Sequence, residues 1–112
     1  MIVTTRTVGN CVVLDCSGNM TVGPGAIAVR NAVREALKNK PKKMVLNLEK
    51  VDYTDSAGIG ELVNSLTHVQ GQGGKLVLLN LAKRTEALLV ITKLITLFEI
   101  AHEEKSALAD GQ

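Results

Sequence analysis

Thr54, Asp55 and Ser56 set three oxygen-bearing side chains in succession within Tyr53-Thr54-Asp55-Ser56-Ala57-Gly58-Ile59-Gly60-Glu61, just ahead of an apolar repeat. At a helix start such residues cap, each accepting a hydrogen bond from an otherwise unpaired backbone N–H. Capping needs only one of them, and it leaves Gly58 and Gly60 unexplained, since each glycine inside a helix costs ~0.8–1 kcal/mol relative to alanine. Glycines beside a hydroxyl let another backbone or a nucleotide phosphate come close, and the positive end of a helix dipole tolerates an anion. This segment is therefore where the chain is expected to meet a partner or ligand.

The other residues that could do chemistry have plainer readings. Gly23-Pro24-Gly25-Ala26-Ile27-Ala28 fits the dinucleotide fingerprint in its loose form, with Glu49 about twenty residues on. However, five residues separate Gly23 from a strand ending at Ser17, where the fingerprint needs a tight turn. A loop entering a helix is expected there. Gly71-Gln72-Gly73-Gly74-Lys75 is too short for a phosphate loop and leads into a strand, whereas a phosphate loop must lead into a helix whose N–H groups point at the anion. It reads as a helix C-cap and turn. Ser56 lacks the first glycine of a nucleophile elbow. His68 and His102 have no Cys or carboxylate at ligand spacing and are expected to be exposed. Lys38, Lys40, Lys42 and Lys43 around Pro41 read as a solvated loop. Cys11 and Cys16 fall in one strand, ~16 Å apart at ~3.3 Å per residue and on opposite faces, which forbids a disulfide. They read as buried packing. Neither catalytic residues nor a metal or cofactor site is expected.

These side chains must be positioned by a succession of short elements. Ile2 to Val8, Gly9-Asn10 and the apolar run Cys11 to Leu14 read as a hairpin. Ala26, Val29, Val33, Ala36 and Leu37 predict a first helix over about 26–39. Met44 to Leu48 reads as a strand buried on both faces. Ile59, Leu62, Val63, Leu66 and Val69 form one apolar stripe, facing a sheet, on a helix that ends at Gly71. Lys75 to Leu79 predicts another buried strand, and Lys83 to Thr92 an amphipathic helix whose apolar positions are Ala87, Leu88 and Ile91. Leu97 to Ile100 is a weak last strand and His102 to Ala109 a short charged helix. The order β-β-α-β-α-β-α-β-α predicts an α/β (α+β) domain over 1–112, a mixed four- to five-stranded sheet with four helices packed upon it.

Composition narrows the function. Apolar residues make up 46% of the chain but aromatics only 2%, so the core must be aliphatic, with Tyr53 and Phe98 as its only large rings. Scarce aromatics and a net charge of only +2 argue against direct nucleic-acid binding, which uses stacking platforms and a marked positive excess. No apolar run approaches the ~18 residues of a membrane span, and the N-terminus has no signal-peptide pattern. A cytoplasmic protein without membrane insertion is expected.

The segment Met44 to Gly60 closely resembles the central strand, loop and helix start of STAS-domain anti-sigma factor antagonists, whose most specific motif is Asp-Ser-(Ser/Ala)-Gly-(Leu/Ile)-Gly, here Asp55 to Gly60. The order of elements agrees with that fold over nearly the whole chain. The resemblance implies that Ser56 is phosphorylated by the partner, an anti-sigma factor serine kinase. The unphosphorylated form would bind that partner and free a sigma factor, and a PP2C-type phosphatase would reset the cycle. It further implies a partner-binding surface of Thr54, Asp55, Ala57, Gly58 and Ile59, together with Thr21. Thr21 stands in Gly18-Asn19-Met20-Thr21-Val22 where members often carry Asp, in a loop that the family fold places beside the phosphorylated serine. Two alternatives are a STAS subunit of a lipid-transport ABC complex or signalling scaffold, and a small nucleotide-binding protein or enzyme using Ser56 or the Gly23 to Gly25 loop.

Overall fold

β-Branched residues fill Ile2–Val8, and in the computed structural model, which describes residues 1–109, they form strand β1. Gly9, at φ +60°, turns the chain so that Val8 pairs with Cys11 and β2 (Cys11–Met20) returns antiparallel. There follow α1 (Pro24–Leu37), β3 (Lys43–Thr54), α2 (Ser56–Gly71), β4 (Lys75–Leu79), α3 (Lys83–Ile91), a 3-10 turn (Ile95–Leu97), β5 (Glu99–Ala101) and α4 (Glu104–Leu108). The strands lie side by side in chain order, with β2 to β5 parallel. The expected mixed sheet thus has five strands and carries four helices.

Alternation along the strands divides the core in two. Val12, Leu14, Cys16, Met44, Leu46 and Leu48 face α1, α2 and Leu89 of α3. Cys11, Val13, Val45, Val77 and Leu79 face Ala107 and Leu108 of α4. Burying one such aliphatic side chain is worth ~1.5–3 kcal/mol. The two cysteines are buried on opposite faces and unbridged, and burial pushes the Cys16 thiol up to about 12.

Several sequence expectations are corrected. The first helix runs Pro24–Leu37 rather than 26–39, because proline suits the first helical position and Lys40 turns into the left-handed region at φ +48°. β2 and β3 pair well past Ser17 and Leu48, as far as Met20 opposite Thr54, with bulges on the way. Lys43 is not solvated: it opens β3, is 2% exposed, and donates from Nζ to the Ala107 carbonyl of α4 at 2.9 Å. Tyr53 is 48% exposed rather than a core ring. In α3 the buried side chains are Thr85 and Leu89, whereas Ala87, Leu88 and Ile91 face outward.

Two glycines let both helices close on the end of β2. An added Cβ would lie 2.2 Å from the Asn19 carbonyl oxygen at Gly25, and 2.0 Å from the Met20 carbonyl oxygen at Gly58. Gly60 has open space around the same position. Gly25→Ala and Gly58→Ala should therefore each destabilise by at least ~1–3 kcal/mol, as overpacking does. Gly60→Ala should stabilise by up to ~1 kcal/mol through helix propensity. Urea unfolding midpoints at constant m check both signs.

Arg6 binds three elements at the other side of the sheet. Its Nε donates to Asp15 Oδ2 at 2.6 Å and its Nη1 to Glu104 Oε2 at 3.0 Å, while Asn47 Nδ2 donates to Asp15 Oδ1 at 2.8 Å. The Arg6 hydrogen bond is the main reason that both the Asp15 and Glu104 carboxyls are held below the ordinary range. The groups are partly exposed, so each pair is worth ~0.2–1 kcal/mol. Because the folded values are lowered, this stability is present above the ordinary carboxyl values of ~3.9 and ~4.3 and is lost as pH falls through the lowered ones. Arg6→Met should thus lose less stability than wild type between about pH 5 and pH 3, read as the change in urea midpoint.

Candidate functional site

β3 ends at Thr54, and Asp55 follows in an extended conformation as the N-cap of α2. Its Oδ1 accepts the Gly58 N–H at 3.0 Å, which is the cap itself. Its Oδ2 reaches 33 residues back in sequence to accept the Val22 N–H at 2.9 Å. One carboxylate therefore ties the β2–α1 loop to the first turn of α2. These bonds, Val22 first and Gly58 second, hold the Asp55 carboxyl below its ordinary range, so it stays ionised at neutral pH.

Ser56 is the first residue of α2 and is exposed, and among the described residues its hydroxyl has no hydrogen-bond partner. Capping and exposure are thus divided between neighbours. Ala57 and Thr21 are half-buried, and the Thr21 carbonyl accepts the Ala26 N–H at 2.9 Å. The loop of Thr21 does lie beside the start of α2, as the Val22 bond shows.

The remaining residues expected to touch a partner face inward. Thr54 is 2% exposed, and Ile59 belongs to the core packed on the sheet. Gly58 is buried, and the backbone that comes close to it is the chain's own, at Met20. Of the two glycines that seemed to keep a bare surface, only Gly60 is exposed.

Other residues at the site were not foreseen. Val22 and Tyr53 flank the helix start and are largely exposed, and the Arg84 guanidinium lies over the Tyr53 ring, 5.7 Å from its centroid. An apolar residue in a glycine-bounded loop was the only available signal for Val22. Behind the surface, Arg30 of α1 donates to the buried Glu61 of α2 at 3.0 Å. Burial pushes the Glu61 carboxyl up, but the hydrogen bonds of Arg30 and Asn64 and the charges of Arg30 and Arg34 outweigh it and hold it low. Nothing in the local sequence pairs residues 31 positions apart.

Chemically the arrangement offers an accessible hydroxyl at the positive end of a 16-residue helix, next to a fixed anion. A serine nucleophile needs a general base in hydrogen-bond reach, and Ser56 has none among the described residues. No group of three His, Cys, Asp or Glu side chains among those residues could hold a metal ion. The close contact of Gly25 with Asn19 uses the start of α1 internally, where a nucleotide would need it bare.

Comparison with known proteins agrees with this architecture. A protein of Thermotoga maritima assigned as an anti-sigma factor antagonist matches with a TM-score of 0.88 at 23% identity, over 97% of this chain and 93% of that one. The Bacillus cell fate determinant SpoIIAA in its phosphorylated form matches at 0.77 and 16% identity, over 99% and 100% of the two chains. A sulfate transporter family protein of Wolinella succinogenes matches at 0.75 and 17% identity, over 93% and 86%. At these identities the likeness establishes the fold. The STAS domain model matches residues 3–107, and the chain belongs to the STAS-domain family.

Proposed function

We propose that this chain, as a single STAS domain over 1–112, is an anti-sigma factor antagonist switched at Ser56. Unphosphorylated, it binds an anti-sigma factor that is itself a serine kinase, and so releases a sigma factor. Phosphorylation of Ser56 ends the binding, and a PP2C-type phosphatase restores it. The domain acts in the cytoplasm as a binding module, with no catalysis, cofactor, nucleic-acid contact or membrane insertion of its own. The observation that carries the reading is the division of labour at the helix start: Asp55 caps α2, and Ser56 is left exposed and unbonded.

The electrostatics favour such a switch. A phosphate adds ~1.5–2 negative charges beside a carboxylate that hydrogen bonds keep ionised. An interface closing over this surface must bury that surplus, and ~3–5 kcal/mol for an uncompensated buried charge corresponds to about 150- to 4,000-fold in affinity. Thr21, Asp55, Ala57 and Gly60 form the surface around the hydroxyl, with Thr54, Gly58 and Ile59 shaping it from beneath. The Wolinella likeness favours a second reading, a STAS subunit of a transport complex or scaffold, in which Ser56 is not a phosphoacceptor.

The test is titration of the purified anti-sigma kinase against variants. Ser56→Ala should bind constitutively and fail to accept phosphate. Ser56→Asp should bind more weakly than wild type but less weakly than the phosphoprotein, because one carboxylate carries about half the charge of phosphate. Asp55→Asn removes the charge and keeps an acceptor for Gly58 while giving up the Val22 bond, and it should narrow the affinity gap between its own phosphorylated and unphosphorylated forms. Gly60→Ala should weaken binding even though it stabilises the fold. Equal affinity of wild type, Ser56→Ala and Ser56→Asp would reject the switch.

A further inference from the structure

Helix α3 is apolar on the wrong side. Only Thr85 and Leu89 are buried, while Ala87, Leu88, Val90 and Ile91 are exposed, Leu88 at 37% and Ile91 at 76%. Its C-terminal half, Ala87 to Ile91, is apolar all round, a pattern normally enclosed, and a contiguous exposed apolar patch marks an interaction surface. Here the patch is concave: Tyr53, Thr54, Arg84, Ala87, Leu88 and Ile91 line a groove of about 300 Å³. Along the chain it adjoins the helix start, since Tyr53 and Thr54 of its lining immediately precede the N-cap Asp55.

One polar feature sets what can fill this groove. The Arg84 guanidinium is held at its rim by the Asp52 carbonyl, at 3.0 Å, and by the Tyr53 ring, and it has no carboxylate partner among the described residues. A second copy laid groove to groove would bring two uncompensated Arg84 cations together.

We infer that the α3 groove is the second half of the partner-binding surface and takes an acidic amphipathic segment of the protein partner. One aliphatic side chain of that segment sits between Leu88 and Ile91, and a carboxylate meets Arg84. The inference rests on the reading of the protein as a partner-binding regulator switched at Ser56.

The experiment titrates the purified anti-sigma kinase against Leu88→Asp, Ile91→Asp, Arg84→Glu and Arg84→Lys, with Ser56→Asp in parallel. Thermal unfolding is measured beside binding for each variant, and Ile91→Asp, at a position 76% exposed, should unfold like wild type. The first three should weaken binding about ten- to thirty-fold, as the loss of an interface anchor does, and Arg84→Lys should retain most of the affinity. Raising the salt concentration should weaken wild type more than Arg84→Glu. If the α3 variants bind like wild type while Ser56→Asp does not, the inference is overturned and the Ser56 switch stands. If Ser56→Asp also binds like wild type, both fall. If sedimentation shows a dimer that Leu88→Asp dissociates, the occupant is a second copy and the partner assignment is overturned.

Discussion

The first turn of α2 rests on the end of β2 with no room for a side chain between them: a Cβ at Gly58 would lie 2.0 Å from the Met20 carbonyl oxygen. That contact fixes where α2 begins relative to the sheet, and the rest of the site follows from it. With α2 so close, the loop after Met20 passes within reach of Asp55, whose second oxygen takes the Val22 N–H. The same loop then enters α1, whose own first turn closes on Asn19 through Gly25. Arg30 and Glu61 join the two helices behind this surface. Glu61 is buried and Arg30 is partly exposed, so this ion pair ties the two helices at the edge of the core rather than inside it. Loop, helix start and sheet end form one platform.

Much of this was legible in the sequence. The stripe of α2 turned inward as its spacing required, with Ile59, Leu62, Leu66 and Val69 all buried. Element order, the hairpin turn and the Gly71 to Gly74 terminus also emerged from local patterns, because each has a local cause: period, φ or a breaker. The features that were missed have causes distant in sequence. Lys43 reads as solvent-facing until α4, some sixty residues on, lies over it and supplies a carbonyl. β3 continues through Glu49, Lys50 and Asp52 because β2 is there to pair with it, although those side chains suggest a loop. In α3 the run Ala87 to Ile91 is unbroken and apolar, so its period carries no phase. Which residues turn inward was decided by the sheet.

The site shows the same division. The motif from Asp55 to Gly60 does form a helix start, and Ser56 is exposed there as expected. Yet the motif mixes residues that present a surface with residues that build it, and one sequence does not separate them. Gly58 and Gly60 look alike on paper. One is required by a carbonyl oxygen beneath it and the other has open space. Asp55 likewise was one of three possible caps in the sequence, and in the structure its carboxylate holds two backbone N–H groups, one of them 33 residues away.

That double hold bears on how the proposed switch would work. A phosphate on exposed Ser56 would stay hydrated in the free domain, and the helix N-terminus would return only ~0.3–1 kcal/mol. Nothing in that balance is large enough to pull Asp55 from its two N–H donors or to part α1 from α2. The free phosphorylated domain should therefore keep the same shape as the unphosphorylated one. The charge would become costly only when a partner excluded water, because desolvation and repulsion from ionised Asp55 would then act together without a compensating cation. Such a platform would convert a single phosphate into a difference in affinity rather than a change of fold, and the proposed switch would need no moving part within the domain.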